Sequence, residues 1–228
     1  MYWQNDKPKP KVHVGDEVID LVFGLNCRCL PVDHVYALSR AIQSVLPWLE
    51  DEPMAGLHAI NVAASGNGWM RPDGPGELLH LSRRTRLELR VPAHRVDDAK
   101  ALQGVKLEID GNEMQIKSAT ERHLSTITTL FTRAFATEPD IADEAEALDW
   151  VAARLHELDI VPRKMLCGTE HFIATADVPI RTRSLMIADL EVEESLRLQQ
   201  RGLGPYRHLG CGLFIPHKDI NDLREEKE

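Results

Sequence analysis

The chain has 228 residues, a formal net charge of −9, and 43% hydrophobic and 28% charged residues. That length allows one large domain or two of about 100 residues, each able to bury its own core, and the composition excludes a largely disordered protein. No stretch reaches the roughly 20 apolar residues of a membrane-crossing helix, and the polar start with Lys7-Pro8 and Lys9-Pro10 has no signal-peptide core, so a cytoplasmic protein without a membrane partner is expected.

Residues 1–16 read as a flexible lead-in. The apolar run over 18–25 suits a central strand ending before Asn26. After Leu30-Pro31, the residues Tyr36, Leu38, Ala41, Ile42, Val45 and Leu46 recur at helical spacing, with Asp33 as N-cap and Pro47 beyond the last turn. A short strand over 58–62, a Gly- and Pro-rich loop over 65–76 and an alternating strand over 85–91 follow. Pro92 opens a helix to about residue 102, which Gly104 ends. A hairpin then pairs 105–109 with 114–117 across Asp110-Gly111-Asn112. This is the order of a ferredoxin-like split βαβ unit with an extra ribbon.

A second pass of the same order follows. It has a Thr-rich strand over 125–136, a helix over 141–158, strands over 166–174 and 184–190, a short helix over 195–200 and a last strand over 213–216. The expected fold is therefore α+β, with tandem ferredoxin-like (RRM-like) domains built on antiparallel sheets. The lead-in 1–16 precedes an N-terminal domain over 17–118 and a C-terminal domain over 119–228, which carries a glycine-rich loop at 202–212.

Net negative charge argues against a nucleic-acid partner, but its distribution weakens the objection. Residues 138–159 hold eight acidic side chains against the single Arg154, so this stretch, mostly one helix, carries −7 of the −9. Arginines gather instead in two places. One group includes Arg83, Arg84 and Arg86; the other includes Arg181, Arg183, Arg197, Arg201 and Arg207. The four cysteines, Cys27, Cys29, Cys167 and Cys211, have no CxxC spacing and read as free thiols.

From Arg201 the chain reads Arg-Gly-Leu-Gly-Pro-Tyr-Arg-His-Leu-Gly-Cys-Gly. Gly202, Gly204, Gly210 and Gly212 would let backbone N–H groups approach phosphate oxygens, Arg201 and Arg207 add charge, and Tyr206 offers a stacking face beside His208. The plainer alternative is a turn that lets a strand enter a crowded sheet. It is neither a Walker loop nor a dinucleotide fingerprint, because helix and strand stand in the wrong order.

This segment, in a chain of two ferredoxin-like halves, resembles the CRISPR-associated Cas-six endoribonucleases, and within them the subtype labelled MYXAN. Three places carry the resemblance. They are Asp20-Leu21-Val22-Phe23 leading into Leu30-Pro31-Val32-Asp33-His34-Val35-Tyr36-Ala37-Leu38, then Gly56-Leu57-His58-Ala59-Ile60, then Leu209-Gly210-Cys211-Gly212-Leu213-Phe214-Ile215-Pro216-His217-Lys218. The resemblance implies a protein that binds the repeat hairpin of a CRISPR transcript, cuts it without a metal ion, and in several members joins other subunits of an interference complex. A non-catalytic RNA-binding subunit of such a complex is the alternative.

Metal-free RNA cleavage uses the ribose 2′-OH as nucleophile, and needs a base for that hydroxyl and an acid for the 5′-oxygen. Histidine suits both roles. His34, at the start of the first helix where the family commonly places a catalytic histidine, is the first candidate; a first-turn histidine with no special role is the alternative. His58 is the second, able to flank one phosphate with His34 or simply to sit hydrogen-bonded on a sheet face. Tyr36 could align RNA only if the helix starts late, and otherwise packs in the core. Arg83, Arg84 and Arg86 suit a hairpin's groove or backbone, or else a basic strand edge. HExxH and His-x-His are absent and Glu170-His171 is an isolated pair, so no metal and no cofactor is expected.

Overall fold

The structure, a computed structural model, describes residues 15, 17–62, 72, 74, 76–138, 141 and 143–217. The lead-in other than Gly15, most of the loop over 65–76, and Lys218 lie outside the described residues.

The first sheet has five strands in the order β3-β5-β1-β7-β6. Here β1 is Val18–Asn26, β3 Gly56–Leu57, β5 Arg86–Pro92, β6 Lys106–Ile109 and β7 Asn112–His123. The near-continuous apolar run of β1 reflects a central place: Ile19, Leu21, Phe23 and Leu25 enter the core on one face, and Val18 and Asp20 are buried on the other. Helix α1 (Val35–Gln43) covers the core face with Leu38 and Ile42. Its cap is His34, not Asp33, and no side chain caps it: residue 34 has helical backbone angles, so the helix begins one residue later than Asp33 would require. Beside β1, Cys29–Pro31 (β2) pairs with Leu78–His80 (β4) in a small ladder that the sequence does not announce, since the partners, such as Leu30 and Leu79, lie far apart in the chain.

The strand expected over 58–62 is instead the pair Gly56–Leu57. The helix expected over 92–102 breaks into 3-10 turns at Ala93–Arg95 and Lys100–Leu102 around one α-helical turn, α2 (Val96–Ala99). The hairpin turn is tighter than expected. Asp110 and Gly111 have φ of 46° and 78°, and Ile109 pairs with Asn112, as in a two-residue type I′ turn. The longer limb, β7, is the strand that lies beside β1; β6 pairs only with its beginning and forms the edge. The core order β3-β5-β1-β7 is that of a ferredoxin-like unit, and β7 runs through residues 118 and 119, where the sequence places the boundary between halves.

The second sheet has the order β11-β8-β10-β9, with β8 Leu130–Phe135, β9 Lys164–Ile173, β10 Ile180–Ala188 and β11 Ile215–Pro216. Numbered within the unit this is again 4-1-3-2. β8 is shorter than the Thr-rich expectation because residues before it bond elsewhere: Ser125 N–H donates to Gln199 Oε1 and Thr128 C=O accepts from Leu190. Helices α3 (Glu144–Glu157) and α4 (Val192–Arg201) pack on one face. Asp143 caps α3 through Ala145 N–H at 2.8 Å, and Glu191 with Glu194 forms a capping box on α4. Among the described residues no helix is long and apolar enough to cross a membrane.

Two buried arginines stitch the sheets together. Arg90 of β5 donates through Nη1 to the carbonyls of Gln199 and Phe214, each at 2.9 Å. In return Arg207 donates to the carbonyls of Ala55 at 2.9 Å and Met54 at 3.2 Å.

Candidate active site

Between the two halves lies a cleft of about 490 Å³. One wall is the start of α1, Val32 to Val35, with Ala59, Ile60 and Asn61 after β3; the other is the second sheet's open face, with Phe131, Arg133, His171, Thr182 and Ser184. His34 lines it although the residue is only 1% exposed. Its Nδ1 is 2.9 Å from Pro31 O and 3.2 Å from Val32 O. Carbonyl oxygens only accept, so Nδ1 carries a proton and Nε2 is the basic nitrogen of the neutral ring.

Across the cleft His171, on β9, is exposed to solvent. Its Nε2 lies 3.1 Å from Thr169 Oγ1, and its carbonyl accepts from Thr182 Oγ1 at 3.2 Å. Thr169, His171 and Ile173 share a strand face by simple alternation. A slip in the pairing of β9 with β10 between Cys167 and Glu170 sets which face this is, and no local pattern in the sequence specifies it.

Of the two expectations for His58, the structure favours a place against the first sheet over one beside His34. Its Nε2 is 3.7 Å from Asp20 Oδ1, in a cluster where Arg90 and Arg122 also hold Asp20, at 2.8 and 3.1 Å, and Arg122 holds Glu88. Burial alone would raise the Asp20 pKa, but the Arg90 guanidinium, helped by His58, overrides it and holds the carboxyl well below its usual range. The cleft of His34 is not lined by His58, so the two imidazoles do not flank one site there. Asp20, His58 and Glu88 bring ligand atoms within 4.8 Å of one another, the spacing of a metal trio. Both carboxylates already accept from guanidinium groups, which supply the positive charge that a cation would bring. Tyr36 is half-buried on α1 and likewise does not line the cleft.

The glycine-rich segment is a wedge between the sheets. Gly202, Gly204, Gly210 and Gly212 all have positive φ, as does Tyr206 at 64°. A Cβ on Gly210 would crowd Leu57 O at 3.2 Å and Ala59 N at 3.3 Å, while Gly212 N–H donates to Ala134 O at 2.7 Å, Gly202 N–H to Leu198 O and Gly210 N–H to Arg207 O. These three N–H groups are engaged within the fold and do not face a phosphate, which fits the turn that admits a strand to a crowded sheet. Arg207 requires the same correction. It is 9% exposed and gives its donors to the carbonyls of Met54, Ala55, Gln200 and Arg201. Burial, reinforced by nearby Arg90, lowers its pKa to about 9, which leaves it charged at neutral pH.

Other basic and aromatic candidates reach the surface. Arg201, Gly204 and Tyr206 are exposed, with the Tyr206 ring edge-on to His208 at 6.4 Å. His208 is mostly buried near Glu50, and that burial lowers its pKa. Arg83, Arg84 and Arg86 are exposed at the turn between β4 and β5, where Arg86 Nη1 donates to the carbonyls of Arg83 and Thr85.

Comparison with known proteins adds a family signal. The family model Cas6 (Cas6 Crispr) matches residues 19–219. The CRISPR-associated endonuclease Cas6 of Myxococcus xanthus (strain DK1622) is 30% identical over 198 residues, 87% of this chain and 81% of that protein. A solved CRISPR associated protein Cas6 superposes with a TM-score of 0.59 at 11% identity, covering 89% of this chain and all of that one, 100%. A RAMP protein that binds different RNA substrates gives a TM-score of 0.59 at 13% identity, covering 88% and 100%. At such identities these structures speak to the fold alone.

Proposed function

We propose, on the premise that this chain belongs to the Cas6 family, that it is an endoribonuclease of CRISPR RNA processing. It binds the repeat hairpin of the precursor transcript in the cytoplasm and cuts it to release guide RNA. The reaction is attack of a ribose 2′-OH on the adjacent phosphorus, with no metal ion. His34 Nε2 takes the 2′-OH proton, its Nδ1–H bond to Pro31 O holding the ring in the tautomer that leaves Nε2 basic. Arg83, Arg84 and Arg86, and on the other half Arg201 and Tyr206, contact the RNA backbone and unpaired bases.

The observation that carries this reading is the placement of His34 in the wall of the interdomain cleft, with its Nδ1 tied to backbone carbonyls. The test is incubation of purified protein with its cognate repeat RNA in EDTA, for the natural chain and for His34→Ala. Cleavage in EDTA that disappears in the variant while binding persists is the expected result. A second reading is favoured by the near-complete burial of the His34 ring: a non-catalytic RNA-binding subunit of an interference complex. It predicts tight binding and an intact RNA, with or without His34.

A further inference from the structure

We infer that His171 is the general acid of the cut, protonating the 5′-oxygen as it leaves; the assignment rests on the nuclease reading above. Transesterification moves two protons. The O2′–P bond forms as the 2′-OH proton passes to His34 Nε2, the P–O5′ bond breaks, and the 5′-oxygen takes a proton from the second group. The products are a 2′,3′-cyclic phosphate and a 5′-hydroxyl, so atoms and charge balance without any co-reactant.

Among the described residues, His34 and His171 are the two imidazoles that line the cleft. They stand on different walls, His34 at the start of α1 and His171 on β9. That matches an in-line displacement, in which attacking and leaving oxygens lie on opposite sides of phosphorus. His171 is solvent-exposed, whereas His34 is buried. The hydroxyl of Thr169, 3.1 Å from His171 Nε2, orients the ring. Arg133, the cleft's other basic side chain, keeps its protons and serves the developing phosphorane charge instead. His58, the competing candidate, does not line the cleft, and its Nε2 faces Asp20 at 3.7 Å instead.

The test uses two RNAs, the ordinary repeat and one with sulfur replacing the 5′-bridging oxygen at the scissile phosphate, under single-turnover conditions. A thiolate leaves without protonation. His171→Ala and His171→Gln should cut the ordinary RNA roughly 10²- to 10⁴-fold more slowly, bind it unchanged, and cut the sulfur RNA at the natural rate. His34→Ala should stay slow on both. A His171 variant that cuts ordinary RNA at the natural rate, or is equally impaired on both RNAs, overturns the assignment and leaves the nuclease reading intact. A natural chain that binds both RNAs and cuts neither overturns the nuclease reading, and His171 with it.

Discussion

Arg90 grips Asp20 with two parallel hydrogen bonds, Nε to Oδ1 at 2.8 Å and Nη2 to Oδ2 at 3.2 Å, where Arg90 is 1% and Asp20 4% exposed. The same guanidinium reaches the carbonyls of Gln199 and Phe214 at the end of α4 and before β11. One strand-to-strand pair in the first sheet therefore fixes where the second sheet sits, and with it the opposite walls of the cleft.

Removing one partner of this pair should be costly. Asp20→Ala leaves a buried guanidinium without its counter-charge, and stability should fall by about 3–5 kcal/mol. Arg122 also bonds Asp20, but its side chain is 48% exposed, so Arg122→Ala should cost no more than about 1 kcal/mol. Urea denaturation of the two variants measures the contrast, and equal losses would show that Asp20 matters through the surface arginine rather than the buried one.

The pair also sets a pH dependence. The Asp20 carboxyl lies well below its ordinary value in the folded chain because Arg90 outweighs the effect of burial. The unfolded chain therefore takes up this proton first as pH falls. Stability from Asp20 is complete above the unfolded value of about 3.9 and is lost progressively below it. Asp20→Asn has no such proton to bind. Its deficit relative to the natural chain should be constant from pH 7 to 5 and narrow from pH 4 to 3, as followed by denaturation at each pH.

What the sequence discloses follows the range of the interaction. The alternating β5, the apolar β1, the capped α3 and the Asp110-Gly111 turn depend on neighbours a few residues away, and the sequence places each within a few positions. The β2–β4 ladder and the choice of β7 as the strand beside β1 are pairings between distant segments that no local pattern specifies. The site divides in the same way. His34 at a helix start is a local feature, whereas the placing of His58 beside Asp20 and the capture of Arg207 by four carbonyls come from chain segments that meet only on folding. A glycine-rich, arginine-bearing segment reads alike whether it wraps a phosphate or wedges two sheets apart.

Glycine substitutions separate backbone strain from crowding. At Gly111 φ is 78° and a Cβ would meet nothing within 4 Å, so Gly111→Ala should cost only the left-handed conformation, about 1–2 kcal/mol. At Gly212 φ is 64° and a Cβ would overlap the Leu203 carbonyl oxygen. Gly212→Ala should therefore lower the melting temperature much further than Gly111→Ala, since the wedge must shift as well as strain. Similar melting temperatures for the two would mean that the segment is loose enough to rearrange.

Arg83, Arg84 and Arg86 are exposed around one turn, and the RNA contact proposed for them is testable as a set. If they contact phosphates, each releases condensed cations on binding, and affinity falls steeply with salt. Removing one should reduce the slope of log affinity against log salt by roughly one and weaken binding to all RNA sequences alike. The three do not contribute equally. Arg86 bends back to the carbonyls of Arg83 and Thr85 at 3.0 and 2.9 Å, so its charge is held close to the turn. Arg83→Ala and Arg84→Ala should each take away the full unit of slope, and Arg86→Ala should loosen the turn as well, reducing affinity beyond what salt dependence accounts for. Titrations of the repeat RNA at several salt concentrations measure this directly, and slopes unchanged in all three variants would move the RNA path away from the β4–β5 turn.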